Sequence, residues 1–225
     1  MTELLTTLLD KSILIGFDVT ADDIREFESS HVGLCGVDTA RMSRYLLVQL
    51  TSAWKHRSMS TFAVTDVIQY LEDIKPTLCT ADPRPFKGPA LSGLWKAHFV
   101  DARFLVKNVC KEWGMFSEDS KKFSELCQLV VFDEAREPSA DGWQGRLTHE
   151  LVVGGYEKRA SRRNLTGEWL IFGLHEGKRY YLALCTHTKG AEQDNVVYSA
   201  LEGLCGGEFP AIFTKDTNRS LASAQ

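Results

Sequence analysis

Along the first third of the chain, apolar positions recur every three to four residues, the spacing that lines them up on one face of an α-helix. DVTADDIREFESS opens on an Asp/Thr cap, DTARMSRYLLVQLTSAWKH puts Met42, Tyr45, Leu46 and Leu50 on one side, and TDVIQYLEDI repeats the pattern. Residues 1–75 therefore read as a helical N-terminal region of three to four helices. The next stretch, PTLCTADPRPFKGPA, holds four of the six prolines; proline removes a backbone donor and disfavours helix at the residue before it. Residues 76–90 read as a linker, and 91–225 as a domain of helices packed on a compact antiparallel β-sheet, an α+β chain as a whole.

Within the second domain, GLWKAHFVDARFLVKNVCKEWG spaces Leu94, Trp95, Phe99, Phe104, Leu105 and Val109 as a helix would. SEDSKKFSELCQLVVFDEA starts with a serine cap and ends in a strand-like run, QLVVFDE, before the loop DEAREPSADG. From Gly145 the pattern predicts a strand, a basic helix or loop, a hairpin, a short helix over Asn195 to Cys205 and a last strand, FPAIF.

The hairpin is the best-defined element. Trp169 to Leu174 and Arg179 to Leu184 are aromatic-rich and flank HEGK, where Glu176-Gly177 forms a two-residue turn. Counting outward from that turn pairs Phe172 with Tyr181, Trp169 with Leu184, Glu168 with Cys185 and Thr166 with His187. Period-2 alternation then puts Thr166, Glu168, Leu170 and Phe172 on one face with Tyr181, Ala183, Cys185 and His187. Both faces are apolar in the middle, so the hairpin reads as central and covered on two sides.

Composition adds the setting. The chain has 225 residues and a formal net charge of −4, yet residues 143–189 carry eight basic against four acidic side chains. The N-terminal apolar run is broken by Asp10, Lys11 and Asp18 and lacks a signal-peptide layout, and no membrane-spanning run follows, so a cytoplasmic protein is expected. Six cysteines sit mostly in apolar segments with no CxxC pair, which predicts reduced thiols and no structural zinc. GGYEK and GLCGGE match no nucleotide-binding fingerprint, and no cofactor is expected.

The counted register gathers Thr166, Glu168 and His187 at the polar mouth of the hairpin, where a carboxylate and an imidazole form an acid/base couple. Just upstream, EKRASRRN supplies Lys158, Arg159, Arg162 and Arg163, cations suited to phosphate oxygens. His149 in LTHELVV is a further general-base candidate, although HELVV lacks the second histidine of a zinc-protease helix. Tyr156 and Tyr180 are candidate base-stacking rings beside the basic segment, while Trp169 and Tyr181 read as core. His98 and Asp101, three residues apart, would share a helix face, where the pair serves packing or, as the alternative, acts as base and orienter. Cys185, His187, His175 and Cys205 would make a metal set only if the register allowed it, and Cys185 and His187 fall on the face away from His175.

Helices followed by a compact antiparallel sheet with His, Glu and Arg at one end resembles the barnase, EndoU, colicin and RelE group of small ribonucleases, over about residues 91–213. The resemblance is one of layout and carries no family-specific string. It implies metal-independent RNA cleavage, with Glu168 and His187 as base and acid and an arginine of the 159–163 cluster stabilising the phosphorane. It further implies a toxin or phage-defence effector, with RNA as partner and a second protein on the acidic N-terminal helices. The pI near 5.9 departs from the basic character of many such nucleases. A non-catalytic interaction module, such as an immunity protein or a defence-complex subunit, is the alternative, and a small-molecule hydrolase using His149 or Cys185 the third reading.

Overall fold

The computed structural model describes residues 16–76, 82–162 and 164–214. It is α+β, with helices before and after a four-stranded antiparallel sheet whose strands, β1 (Arg84–Pro85), β2 (Leu94–Phe99), β3 (Glu168–His175) and β4 (Lys178–Cys185), lie side by side in chain order. Among the described residues the chain divides into two compact units, 100–162 and 164–167 belonging to the second and the others to the first.

In the first unit, α1 (Ala21–Ser30), α2 (Arg44–His56) and α3 (Thr61–Leu71) precede the sheet. Their starts follow from local chemistry: Thr20 and Asp23 form a reciprocal capping box on α1, and the Ser43 hydroxyl accepts from Leu46 N–H at 2.9 Å to cap α2. Ile24, Phe27, Leu46, Leu50, Val64 and Ile68 face one side of the sheet and share a core with Ala97, Phe99, Leu170, Phe172 and Tyr181. The N-terminal helices are therefore part of the sheet's own fold and not a region set apart by the proline-rich stretch, where Arg84–Pro85 forms the edge strand β1. The sheet's other face packs Leu94, Trp169, Ile171, Leu182 and Ala183 under α8 (Ala191–Cys205) and α9 (Pro210–Phe213). FPAIF is thus helical at its end; Pro210 stands at the first helical positions, where its missing N–H costs nothing.

Strand β2 spans Leu94–Phe99, where helical spacing predicts a helix. It pairs along β3 (Glu168–His175), and six ladder partners outweigh a marginal local helix preference. The turn to β4 (Lys178–Cys185) is as expected: Glu176 and Gly177 both have positive φ, +50° and +74°, and His175 pairs with Lys178. Phe172 pairs with Tyr181, but Ile171 pairs with Ala183, so Leu182 is an extra residue in a β-bulge. Beyond it the register is displaced by one: Leu184 faces Leu170 and Cys185 faces Trp169.

The segment entering α2 covers the outer edge of β4. Ser43 N–H donates to Tyr181 O at 2.8 Å and its hydroxyl to Leu182 O at 2.5 Å, at the bulge itself. Gln49 exchanges two hydrogen bonds with the Leu184 backbone, at 2.8 and 3.1 Å, as a neighbouring strand would. Glu72 ties this edge to α3: Arg41 donates to both its oxygens and the Tyr181 hydroxyl donates to one at 2.5 Å. Burial pushes the Glu72 carboxyl up, but the bonds from Arg41 and Tyr181 outweigh it and hold the group below its usual range.

In the second unit, α4 (Leu105–Trp113), α5 (Lys121–Arg136), α6 (Gly142–His149) and α7 (Gly155–Ser161) surround Val109, Trp113, Leu126 and Val130. The strand-like QLVVF lies within α5, whose Ser120 cap accepts from Phe123 N–H at 3.2 Å and nucleates a helix that runs through the valines. LTHELVV is helical too, continuing through a π-helical turn at Glu150–Gly154. There Leu151 O accepts the Trp113 indole N–H at 2.9 Å, and Gly155 leaves the room the indole needs: a Cβ would lie 2.5 Å from its nitrogen. The five described cysteines are free thiols. No helix among the described residues is long and apolar enough to cross a membrane.

Replacing Glu72 by Ala leaves the Arg41 guanidinium and the Tyr181 hydroxyl without their acceptor. The expected loss is about 2 kcal/mol in urea unfolding, between the values for an exposed and a fully buried ion pair, and a loss below about 1 kcal/mol would contradict the assignment. Because the folded carboxyl is depressed, this contribution is complete above the ordinary carboxyl range, about pH 4.3, and disappears as pH falls through the lowered folded value.

Candidate functional site

The sheet and its bulge assemble a cluster on the face toward α8 and α9. On β2, Ala97 and Phe99 fill the opposite core, so alternation puts Lys96 and His98 on this side with Leu94. His98 stands directly across from Trp169, and Lys96 across from Ile171. The Trp169 indole N–H donates to His98 Nε2 at 3.0 Å. His187, two residues past the end of β4, stacks on Trp169 with ring centroids 4.6 Å apart and 21° between planes. Its ring is 5.2 Å from that of His98. The Lys96 ammonium lies 3.9 Å over the Trp169 ring and 4.6 Å over Phe86, and those two rings meet edge-on at 5.2 Å.

Charge in the cluster is mostly positive. Burial, followed by repulsion from His187, Lys96 and Arg84, lowers His98 to about 4. The imidazole is therefore neutral at physiological pH, and because Nε2 accepts from Trp169 its proton resides on Nδ1, which has no partner among the described residues. Burial likewise lowers Lys96, with Asp194 opposing the shift and Lys87 adding to it. Apart from the two rings, the half-buried Lys96 ammonium meets no hydrogen-bonding or ion-pair partner among the described residues. An ammonium with three donors, held on aromatic faces beside a neutral N–H, is arranged to receive an anion.

The expected constellation is distributed differently. Glu168 and His187 are both in the first unit, but Glu168 alternates with Trp169 and falls on the face of Leu170 and Phe172, whereas the bulge carries His187 to the Trp169 face. A one-residue displacement exchanges faces, so the predicted common mouth does not form. Thr166 belongs to the second unit: its backbone exchanges two hydrogen bonds with the buried Asn108 side chain, and its hydroxyl accepts from Lys111 at 3.1 Å. His149 is also there, helical and exposed, with Nδ1 3.7 Å from Glu150.

The basic patch of the second unit is engaged in holding its fold. Arg162 bonds Glu112 at 2.5 Å and Lys158 O at 2.7 Å, Arg159 bonds Asn108 and Asn164 O, and the Lys158 ammonium lies 4.6 Å over Trp113. Arg163 lies outside the described residues. Tyr156 is half-buried on α7, and Tyr180, packed edge-on against Phe209 at 5.1 Å, belongs to the core of the first unit. Burial, reinforced by Glu168 and Asp194, pushes the Cys185 thiol up and away from the nucleophilic thiolate.

Lys96 is the member that sequence reasoning missed, and His98 entered it only as the helical partner of Asp101. Their signal was the alternation Leu94, Lys96, His98 against Trp95, Ala97, Phe99, which a helical reading of the same apolar residues overrides. No protein family model matches the chain, and neither a curated protein nor a solved structure matches it.

The Trp169–His98 bond provides a direct readout. The Trp169 indole N–H resonance should titrate with a midpoint near about 4, where protonation of His98 removes the acceptor. With the folded value depressed, the stability His98 contributes is full above about pH 6.5 and is lost as pH falls toward the folded value. An indole resonance that titrates near about 6.5 instead would show that His98 is not held neutral.

Proposed function

We propose that the chain is a metal-independent endoribonuclease whose reacting groups are His187, His98 and Lys96. The single observation that carries this reading is the half-buried Lys96 ammonium, unpaired among the described residues, within one cluster with two imidazoles. Imidazole is the side chain suited to moving protons near neutral pH, and a partnerless cation beside it suits a phosphodiester. His187 takes the proton of a ribose 2′-hydroxyl as the 2′-oxygen bonds to the adjacent phosphorus and the bond to the 5′-oxygen breaks. The departing oxygen takes its proton from the solvent that reaches exposed His187. Lys96 and the Nδ1–H of His98 hold the nonbridging oxygens, on which charge grows. The products are a 2′,3′-cyclic phosphate and a 5′-hydroxyl end. A role as toxin or phage-defence effector rests on the resemblance in layout.

A second reading, a non-catalytic interaction module, is favoured by the exposed apolar residues of α5, where Leu129, Val131 and Phe132 are 51, 61 and 63% exposed.

Incubation with RNA in excess EDTA separates the two. Cleavage by the parent should fall by roughly 10²- to 10⁴-fold in His187→Ala and by a smaller factor in His98→Ala and Lys96→Ala, with melting temperatures showing each variant folded. Glu168→Ala should retain most of the activity. Intact RNA with the parent enzyme, or a loss confined to Glu168→Ala, would refute the assignment.

A further inference from the structure

The first unit contains a second place with the chemistry of a ligand site, in the connection between α2 and α3. A cleft of about 340 Å³ lies there, walled by Trp54, Met59 and Phe62 with Arg57 at its side. Both aromatic walls are braced from behind: Trp54 packs on Phe27 at 5.8 Å between centroids, and Phe62 on His31 at 4.5 Å. His31 is buried and its Nε2 meets Thr61 Oγ1 at 2.7 Å, which anchors the first residue of α3 and with it the cleft wall. Phe62 nevertheless remains 49% exposed. A large apolar ring that is half open and rigidly backed is prepared for a planar partner.

Arg57 supplies the charge. It closes α2 with φ of +50°, a conformation glycine adopts freely and a side-chain-bearing residue rarely does. Among the described residues its guanidinium makes no hydrogen bond and no ion pair. Aromatic walls by themselves suit any apolar group, and an unpaired guanidinium by itself any anion. A planar ring joined to a phosphate satisfies both, through stacking on the walls and paired N–H donation to the phosphate oxygens.

We propose that this cleft binds one nucleotide of an RNA chain, its base against Trp54 and Phe62 and its phosphate on Arg57. The choice of RNA rests on the endoribonuclease reading above; the preference for a base joined to a phosphate rests on the cleft. His98 and His187 take no part in it, since among the described residues the cleft is lined from within 53–62 and backs onto the core on the opposite face of the sheet.

Equilibrium dialysis of the full chain against AMP tests this. His98→Ala/His187→Ala should bind AMP as the parent does, so cleavage and binding can fail separately. Arg57→Gly, which suits the positive φ and preserves the fold, should weaken AMP by about tenfold and make it no better a ligand than adenosine. Phe62→Ala should weaken AMP and adenosine alike, by roughly tenfold. AMP binding that is absent at millimolar concentration, unchanged in Arg57→Gly and Phe62→Ala, or lost in the double histidine variant would overturn the proposal. Displacement of AMP by N-acetyltryptophan at equal or lower concentration would overturn it in favour of a peptide carboxylate.

Discussion

One extra residue in a strand sets the chemistry of this sheet. Leu182 has no partner of its own in the β3–β4 ladder, and from that point onward every residue of β4 occupies the face its unbulged position would deny it. Leu182 and Ala183 both enter the core beneath α8, Cys185 comes level with Trp169, and the chain leaves the strand with His187 over the indole. The bulge is held by bonds that a regular strand would not offer: Ser43 engages the carbonyls of Tyr181 and Leu182. One serine thus caps a helix and stabilises the irregularity that brings two histidines together.

That arrangement explains why the N-terminal helices cannot be separated from the sheet. β4 is an outer strand, and its unpaired backbone groups are met by Arg41, Ser43 and Gln49 instead of by another strand. Arg41 is in turn fixed by Glu72, which also receives the Tyr181 hydroxyl, so the entry to α2, the end of α3 and the middle of β4 are locked by one partly buried carboxylate. Helices and strands share a single core across this junction. The geometry of the histidine pair is inherited from contacts made more than a hundred residues away in sequence, between residues 41–49 and 179–184.

The sequence disclosed the α+β class, the helices of the first third and the type of turn at Glu176-Gly177, because each is encoded in periodicity, caps or the φ preference of glycine. It misled wherever a pairing partner decides the outcome. LWKAHF has apolar residues at both helical and alternating spacings, and only β3 chooses between them. QLVVF looks like a strand until the Ser120 cap and the helix it starts are taken together. The bulge left no mark in the hairpin, since its cause lies at Ser43, and so the expected meeting of Glu168, Thr166 and His187 gave way to one of His98, His187 and Lys96. The basic residues of 158–163 illustrate a different limit: composition shows a positive cluster, whereas Glu112, Asn108 and Trp113, which engage Arg162, Arg159 and Lys158, are distant in sequence.

The most direct test is the register of the hairpin in solution, read from interstrand nuclear Overhauser effects. The bulged structure predicts cross-strand contacts of Ile171 with Ala183 and of Trp169 with Cys185, together with contacts between the Trp169 indole and the His187 imidazole. Contacts of Trp169 with Leu184, with the His187 ring on the side of Leu170 and Phe172, would mean a regular ladder. In that case the two histidines and Lys96 do not share a face.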